Sequence, residues 1–168
     1  FTDDPVAPGG TVTLEYSLAS TSPSSATTDI AFTDELTTIL PLPLSVALPA
    51  SGFCGSGSSL TLVSLGTDQQ AIQLTGGSLA PAGSPGDTCT FSVAIDIPQG
   101  LAGGTFTSTS GAVSATVDGT ALTGGTASDD LVVLDGPTLR KAFTDSPVAP
   151  GAAATLEFTI MQSETAAG

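Results

Sequence analysis

The chain contains its own opening twice. Phe1-Thr2-Asp3-Asp4-Pro5-Val6-Ala7-Pro8-Gly9 returns as Phe143-Thr144-Asp145-Ser146-Pro147-Val148-Ala149-Pro150-Gly151, a constant offset of 142 residues. The match runs on, with Thr13-Leu14-Glu15-Tyr16-Ser17-Leu18 answered by Thr155-Leu156-Glu157-Phe158-Thr159-Ile160. Self-similarity at one fixed register marks a repeat architecture. Pro-Gly signals a turn. After it Val12, Leu14, Tyr16 and Leu18 point one way and Thr11, Thr13, Glu15 and Ser17 the other, the period of a half-buried strand. Each copy therefore reads as the opening strand of a domain. The expected organisation is a domain over 1–134, a linker over 135–142, and the first strand of a next repeat over 143–168. A strand alone cannot bury its apolar face, so Leu156, Phe158 and Ile160 are expected to meet a neighbouring repeat or another copy of the chain, as in strand donation. A longer chain is also expected to carry residues like Arg140-Lys141-Ala142 before Phe1.

Between the copies, strand signals alternate with turns. Cys89 to Ile97 is the clearest, with Cys89, Phe91, Val93, Ile95 and Ile97 facing in and Thr90, Ser92, Ala94 and Asp96 facing out. Shorter β-like runs are Ile30-Ala31-Phe32, Leu60 to Leu65, Ala71 to Leu74, Gly104 to Ser110, Ala112 to Val117 and Leu131 to Leu134. Gly76-Gly77, Pro85-Gly86, Gly103-Gly104, Asp118-Gly119 and Gly124-Gly125 punctuate the series as turns. About eight short strands, with no helical pattern, predict an all-β fold, an antiparallel β-sandwich.

Composition narrows the function. Sixteen acidic residues stand against two basic ones, a formal net charge of -14. Nucleic acid and anionic membranes are bound through Lys and Arg, and here the only two, Arg140 and Lys141, form no patch. Charged residues are 11% of the chain, against roughly 25% in ordinary soluble domains. There is no His, which removes the usual general base and the usual zinc or copper ligand. No carboxylate pair lies beside aromatic or basic residues that would bind a substrate or tune its pKa, so a catalytic role is not expected. No apolar run is long enough to span a bilayer, and the chain does not open with a signal peptide, so an export signal is expected to be removed or to lie outside this piece.

Two chemistries remain. Cys54 and Cys89 fit no metal or redox spacing. They form a disulfide or are two buried thiols; the Ser/Thr-rich, Lys-poor composition suits an exported protein, where a disulfide persists. The second is calcium, which takes six to eight oxygen ligands. Asp3, Asp4, Asp129, Asp130, Asp135 and Asp145 are the ligand candidates if they converge at a domain junction. Aspartates also favour turns for their own hydrogen bonds, and that reading is preferred, with no cofactor expected. The absence of Asn excludes N-linked sugar.

These segments resemble a family of bacterial extracellular repeat domains with an immunoglobulin-like fold, a module often found in tandem. The resemblance rests on the Pro8 to Leu18 turn and strand and on Phe32-Thr33-Asp34-Glu35-Leu36, similar to an "F-T-D-x-L-P" turn. Gly76-Gly77-Ser78-Leu79-Ala80-Pro81 before Cys89-Thr90-Phe91-Ser92-Val93, the closing Ala127 to Val133, and Pro137-Thr138-Leu139-Arg140-Lys141-Ala142-Phe143, similar to a "P-x-L-x-K-x-F" linker, complete it. The family often carries an Asn in the Thr105 to Ser110 strand, and this chain has none. The resemblance implies an immunoglobulin-like sandwich at the bacterial cell surface and transfers no catalytic residues. The expected function is a structural module of an extracellular filament or surface stalk, assembling end to end with copies of itself or adjacent repeats. The alternative is an adhesin-type module binding a glycan or partner surface, for which the chain offers few aromatic residues.

Overall fold

A computed structural model describes residues 1–162. The expected second-repeat segment extends to Gly168, and its last six residues lie outside the described ones. The described residues hold twelve strands and one short 3-10 turn, Leu36–Thr38. In chain order the strands are β1 (Thr11–Ala19), β2 (Thr27–Asp34), β3 (Ser45–Ala47), β4 (Ser59–Ser64), β5 (Gln70–Leu79) and β6 (Thr88–Asp96). They continue with β7 (Gly104–Thr109), β8 (Ser114–Val117), β9 (Thr120–Thr123), β10 (Ser128–Val133), β11 (Thr138–Phe143) and β12 (Leu156–Met161). The all-β expectation holds.

The strands form antiparallel sheets ordered β1-β6-β3, β4-β5-β2-β8-β9, β7-β10 and β11-β12. The β7–β10 pair and the β8–β9 pair belong to one interrupted hairpin. Between them Ser110 N–H donates to the Ala127 carbonyl and Gly124 N–H to the Val113 carbonyl. At the tip, Asp118 and Gly119 both have positive φ, 50° and 74°, the backbone of a two-residue hairpin turn. The N-terminal segment joins the other side of β10: Val6 bridges Val133 in parallel, and its N–H donates to the Val132 carbonyl.

One apolar core links the sheets of residues 1–134. In β6, Cys89, Phe91, Val93 and Ile95 are buried while Thr90, Ser92 and Asp96 face out or toward the rim. They meet Val12 and Leu14 of β1, Ile30 and Phe32 of β2, Ile72 and Leu74 of β5, and Leu131 and Val133 of β10. Each such side chain contributes about 1.5–3 kcal/mol by leaving water. The alternation along β1 weakens toward its end, where Tyr16 and Leu18 are only half-buried.

The structure departs from expectation at three places. Gly76-Gly77 is not a turn; it lies inside β5, where the β2–β5 register shifts around Ile30. Glycine inside a strand pattern also marks a bulge or a close backbone approach, and both occur. Gly76 has φ +66°, and a Cβ there would run into the Gly57 carbonyl. Gly76→Ala is therefore expected to cost about 1–3 kcal/mol, read as a lower urea midpoint; an unchanged midpoint would contradict that packing. Two short strands, β3 and β9, lie outside the expected strand runs. Finally, Thr138–Ala142, expected within a linker, forms β11 with Phe143 and pairs along the whole of β12.

Candidate functional site

The expected Cys54–Cys89 disulfide is present, with Cα atoms 5.5 Å apart. Cys89 opens β6 and Cys54 lies in the loop before β4, so the bridge ties that loop to the three-stranded sheet. Beside it Phe53 packs on Phe91, ring centroids 4.6 Å apart, and Phe91 stacks on Tyr16 at 5.1 Å.

The six aspartates are not gathered. Among the described residues no group of three or more Asp, Glu, Cys or His side chains is placed to hold a metal ion. Asp3 accepts from Thr13, its backbone N–H at 2.6 Å and its hydroxyl at 3.1 Å. Asp145 accepts from the Thr155 N–H at 2.8 Å, which lowers its carboxyl pKa. Asp4 accepts from the Val132 N–H at 2.9 Å, Asp130 from the Thr107 hydroxyl at 2.5 Å, and Asp129 pairs with the Phe1 amino group. Asp135 is exposed.

The apolar trio of the tail is exposed. Leu156, Phe158 and Ile160 alternate along β12 with 38%, 60% and 76% of their surfaces open. Opposite them on β11 stand Phe143, Lys141 and Leu139. Directly paired residues share a sheet face, so the hairpin carries one exposed apolar face with a lysine set into it.

A second feature was not anticipated. Asp34, at the end of β2, is 3% exposed. The Tyr16 hydroxyl donates to it at 2.8 Å, and the Ser108 hydroxyl lies 3.5 Å from its other oxygen. Burial raises the Asp34 carboxyl above its ordinary range, and the two hydroxyls act against that rise. Burial, with Asp34 beside it, also raises the Tyr16 phenol far above 10. The only sequence signal was the chain's one tyrosine at an inward strand position.

This network borders an open side of the fold. A cleft of about 260 Å³ is lined by Leu14, Tyr16, Asp34, Ser108 and Asp129. It continues into one of about 330 Å³ along Glu15–Ala19, facing Phe32, Val113 and Ala127. A third, about 350 Å³, carries on past Leu18 between Ile30, Val113 and Leu122. Neighbouring clefts share lining residues, so together they follow β1 on the side away from β6.

The Asp34 arrangement has a pH signature. Its folded pKa lies above the unfolded value, so its stabilising contribution is complete below the ordinary carboxylate pKa of 3.8 and is lost as pH rises through the raised folded value. Tyr16, Glu15 and Asp129 line the same cleft. Asp34→Asn removes the titration while leaving those neighbours, and Asp96 and Asp145, in place. From about pH 4 to pH 7, wild type is expected to lose stability relative to Asp34→Asn. Urea midpoints across that range provide the check; curves that stay parallel would contradict it.

The fold thus defines an all-β, disulfide-bridged domain followed by a hairpin that repeats its opening segment. The chain belongs to the family described as Domain of unknown function (DUF7933), whose model matches residues 1–133. No curated protein and no solved structure matches it. The disulfide is of the kind that persists in oxidising compartments and points to a non-cytoplasmic protein. No helix among the described residues is long and apolar enough to cross a membrane.

Proposed function

We propose that this chain is an immunoglobulin-like structural module of an extracellular bacterial filament or cell-surface stalk, joined end to end with like units through β-strand contacts. The observation that carries this reading is the β11–β12 hairpin, which reproduces the start of the first domain and leaves Leu139, Phe143, Phe158 and Ile160 exposed. In the first copy Phe1, Tyr16 and Leu18, the counterparts of Phe143, Phe158 and Ile160, are partly buried and packed against the core. A surface of this kind is a contact surface between units.

Two further features favour a load-bearing, non-catalytic role. The disulfide ties a long loop to the central strand β6. Five of the six singled-out aspartates serve hydrogen bonds or an ion pair within the fold. Gold-labelled antibody against residues 1–134 should decorate extended structures outside the cell at repeated intervals. Label confined to the cytosol would sink the proposal.

A further inference from the structure

β1 is an edge strand. It pairs with β6 on one side, and among the described residues no strand pairs with its other side. Its counterpart in the second copy is not bare: β12 is paired by β11, with Phe143 opposite Leu156, Lys141 opposite Phe158 and Leu139 opposite Ile160.

The two copies agree in their backbone. Thr2 N–H donates to the Thr13 carbonyl at 3.0 Å, and Thr144 N–H to the Thr155 carbonyl at 3.1 Å. Gly10 N–H reaches the Ala7 carbonyl at 2.9 Å, and Ala152 N–H the Ala149 carbonyl at 3.0 Å. Gly9 and Gly151 have φ of 84° and 85°. Asp3 and Asp145 accept from the N–H groups of Thr13 and Thr155. The β11–β12 register therefore transfers to β1 at the same offset. Phe1 stands where Phe143 stands. A strand running into Phe1 would set a lysine of the Lys141 kind opposite Tyr16 and a leucine of the Leu139 kind opposite Leu18.

The geometry points to the open edge of β1, over Glu15–Ala19, as the seat of an added antiparallel strand of the Thr138–Ala142 type. A second copy of this unit, preceding Phe1 head to tail, contributes it. The choice of a second copy rests on the structural-module reading above; the seat itself rests on the two copies' geometry.

The chemistry of the seat matches that occupant. Tyr16 and Leu18 are half-buried and line the open clefts, so apolar surface waits there for a partner. The clefts also present Glu15, Asp34 and Asp129. The chain's only two cationic side chains, Arg140 and Lys141, lie on β11. Residues opposite one another share a face, so the incoming lysine falls on the face of Tyr16, whose hydroxyl holds Asp34. A buried carboxylate without a counter-charge is costly, and a strand-borne ammonium offsets that cost. Main-chain hydrogen bonds along the edge supply the affinity, and alternate side chains in the clefts supply the register.

The test uses the full 168-residue chain with Gly-Pro-Thr-Leu-Arg-Lys-Ala placed directly before Phe1. Hydrogen exchange of backbone amides within Glu15–Ala19 is expected to slow by about tenfold or more relative to the unextended chain. Within the added segment alone, the equivalent of Leu139→Asp should abolish that protection, and that of Lys141→Ala should reduce it. Because these changes lie outside the residues that fold, they leave the acceptor intact. Equal exchange with and without the extension overturns the proposal, as does protection that survives Leu139→Asp. Long assemblies from the source organism with an unprotected β1 would overturn the seat alone. Protection without assemblies would overturn the structural-module reading alone.

Discussion

Replacing both cysteines, Cys54→Ala with Cys89→Ala, is expected to lower the melting temperature by roughly 10 °C. The bridge spans a sequence separation of 35. In the chain-entropy account, closing a loop of that length removes unfolded-state freedom worth about 3–4 kcal/mol. The loop it anchors is also held by Ser78 N–H to the Cys54 carbonyl and Cys54 N–H to the Ser58 hydroxyl. Differential scanning calorimetry of the double variant and of reduced wild type should agree. A melting temperature that does not move would mean the loop is held without the bridge.

Phe91→Ala is expected to cost about 3–5 kcal/mol, the usual range for removing a buried aromatic ring. Phe91 is 5% exposed and stands between Phe53 and Tyr16. Its loss would leave a gap between the disulfide loop and the Asp34 network. The two variants should not be additive, since Phe53 touches Phe91 and its carbonyl lies 3.4 Å from the Cys89 sulfur. Side chains that share a partner couple, so the combined loss in a urea titration should fall short of the two separate losses. Strict additivity would show that the ring and the bridge act independently.

Elements whose sides are sorted by burial were the legible ones. The alternation in Cys89–Ile97 foretold both the strand and its inward face, and the repeat foretold that residues 143–161 would copy the opening turn. β9, Thr120–Thr123, is exposed throughout, so no period-two signal marks it. β3 is three residues long and is held by pairing with β6, a tertiary cause with no local trace. The β11 segment falls in the expected linker because the sequence match between the two copies begins only at Phe143. Only its pairing with β12 shows that the repeat's first strand lies ahead of the phenylalanine where the visible sequence match begins.

The same limit applies to the site. The cysteine pair was readable because spacing excluded metal and redox motifs and composition pointed to an oxidising compartment. Asp34 stood in a phrase that resembled a turn, and nothing local says that it is buried against Tyr16 and Ser108. That burial arises where β1, β2 and β7 meet. Five of the six aspartates accept hydrogen bonds or pair with the Phe1 amino group within the fold, contacts set by where the strands meet, while Asp135 is exposed.

The central claim is that this chain works as one unit of a larger extracellular assembly. Its most direct test is the native mass of the protein taken from its source without denaturant, set beside its denatured mass. The account predicts native particles many times heavier than the 16.3 kDa of this chain, whether as separate subunits or as a long polypeptide of tandem units. Native particles near 16.3 kDa, with no larger form, would contradict it.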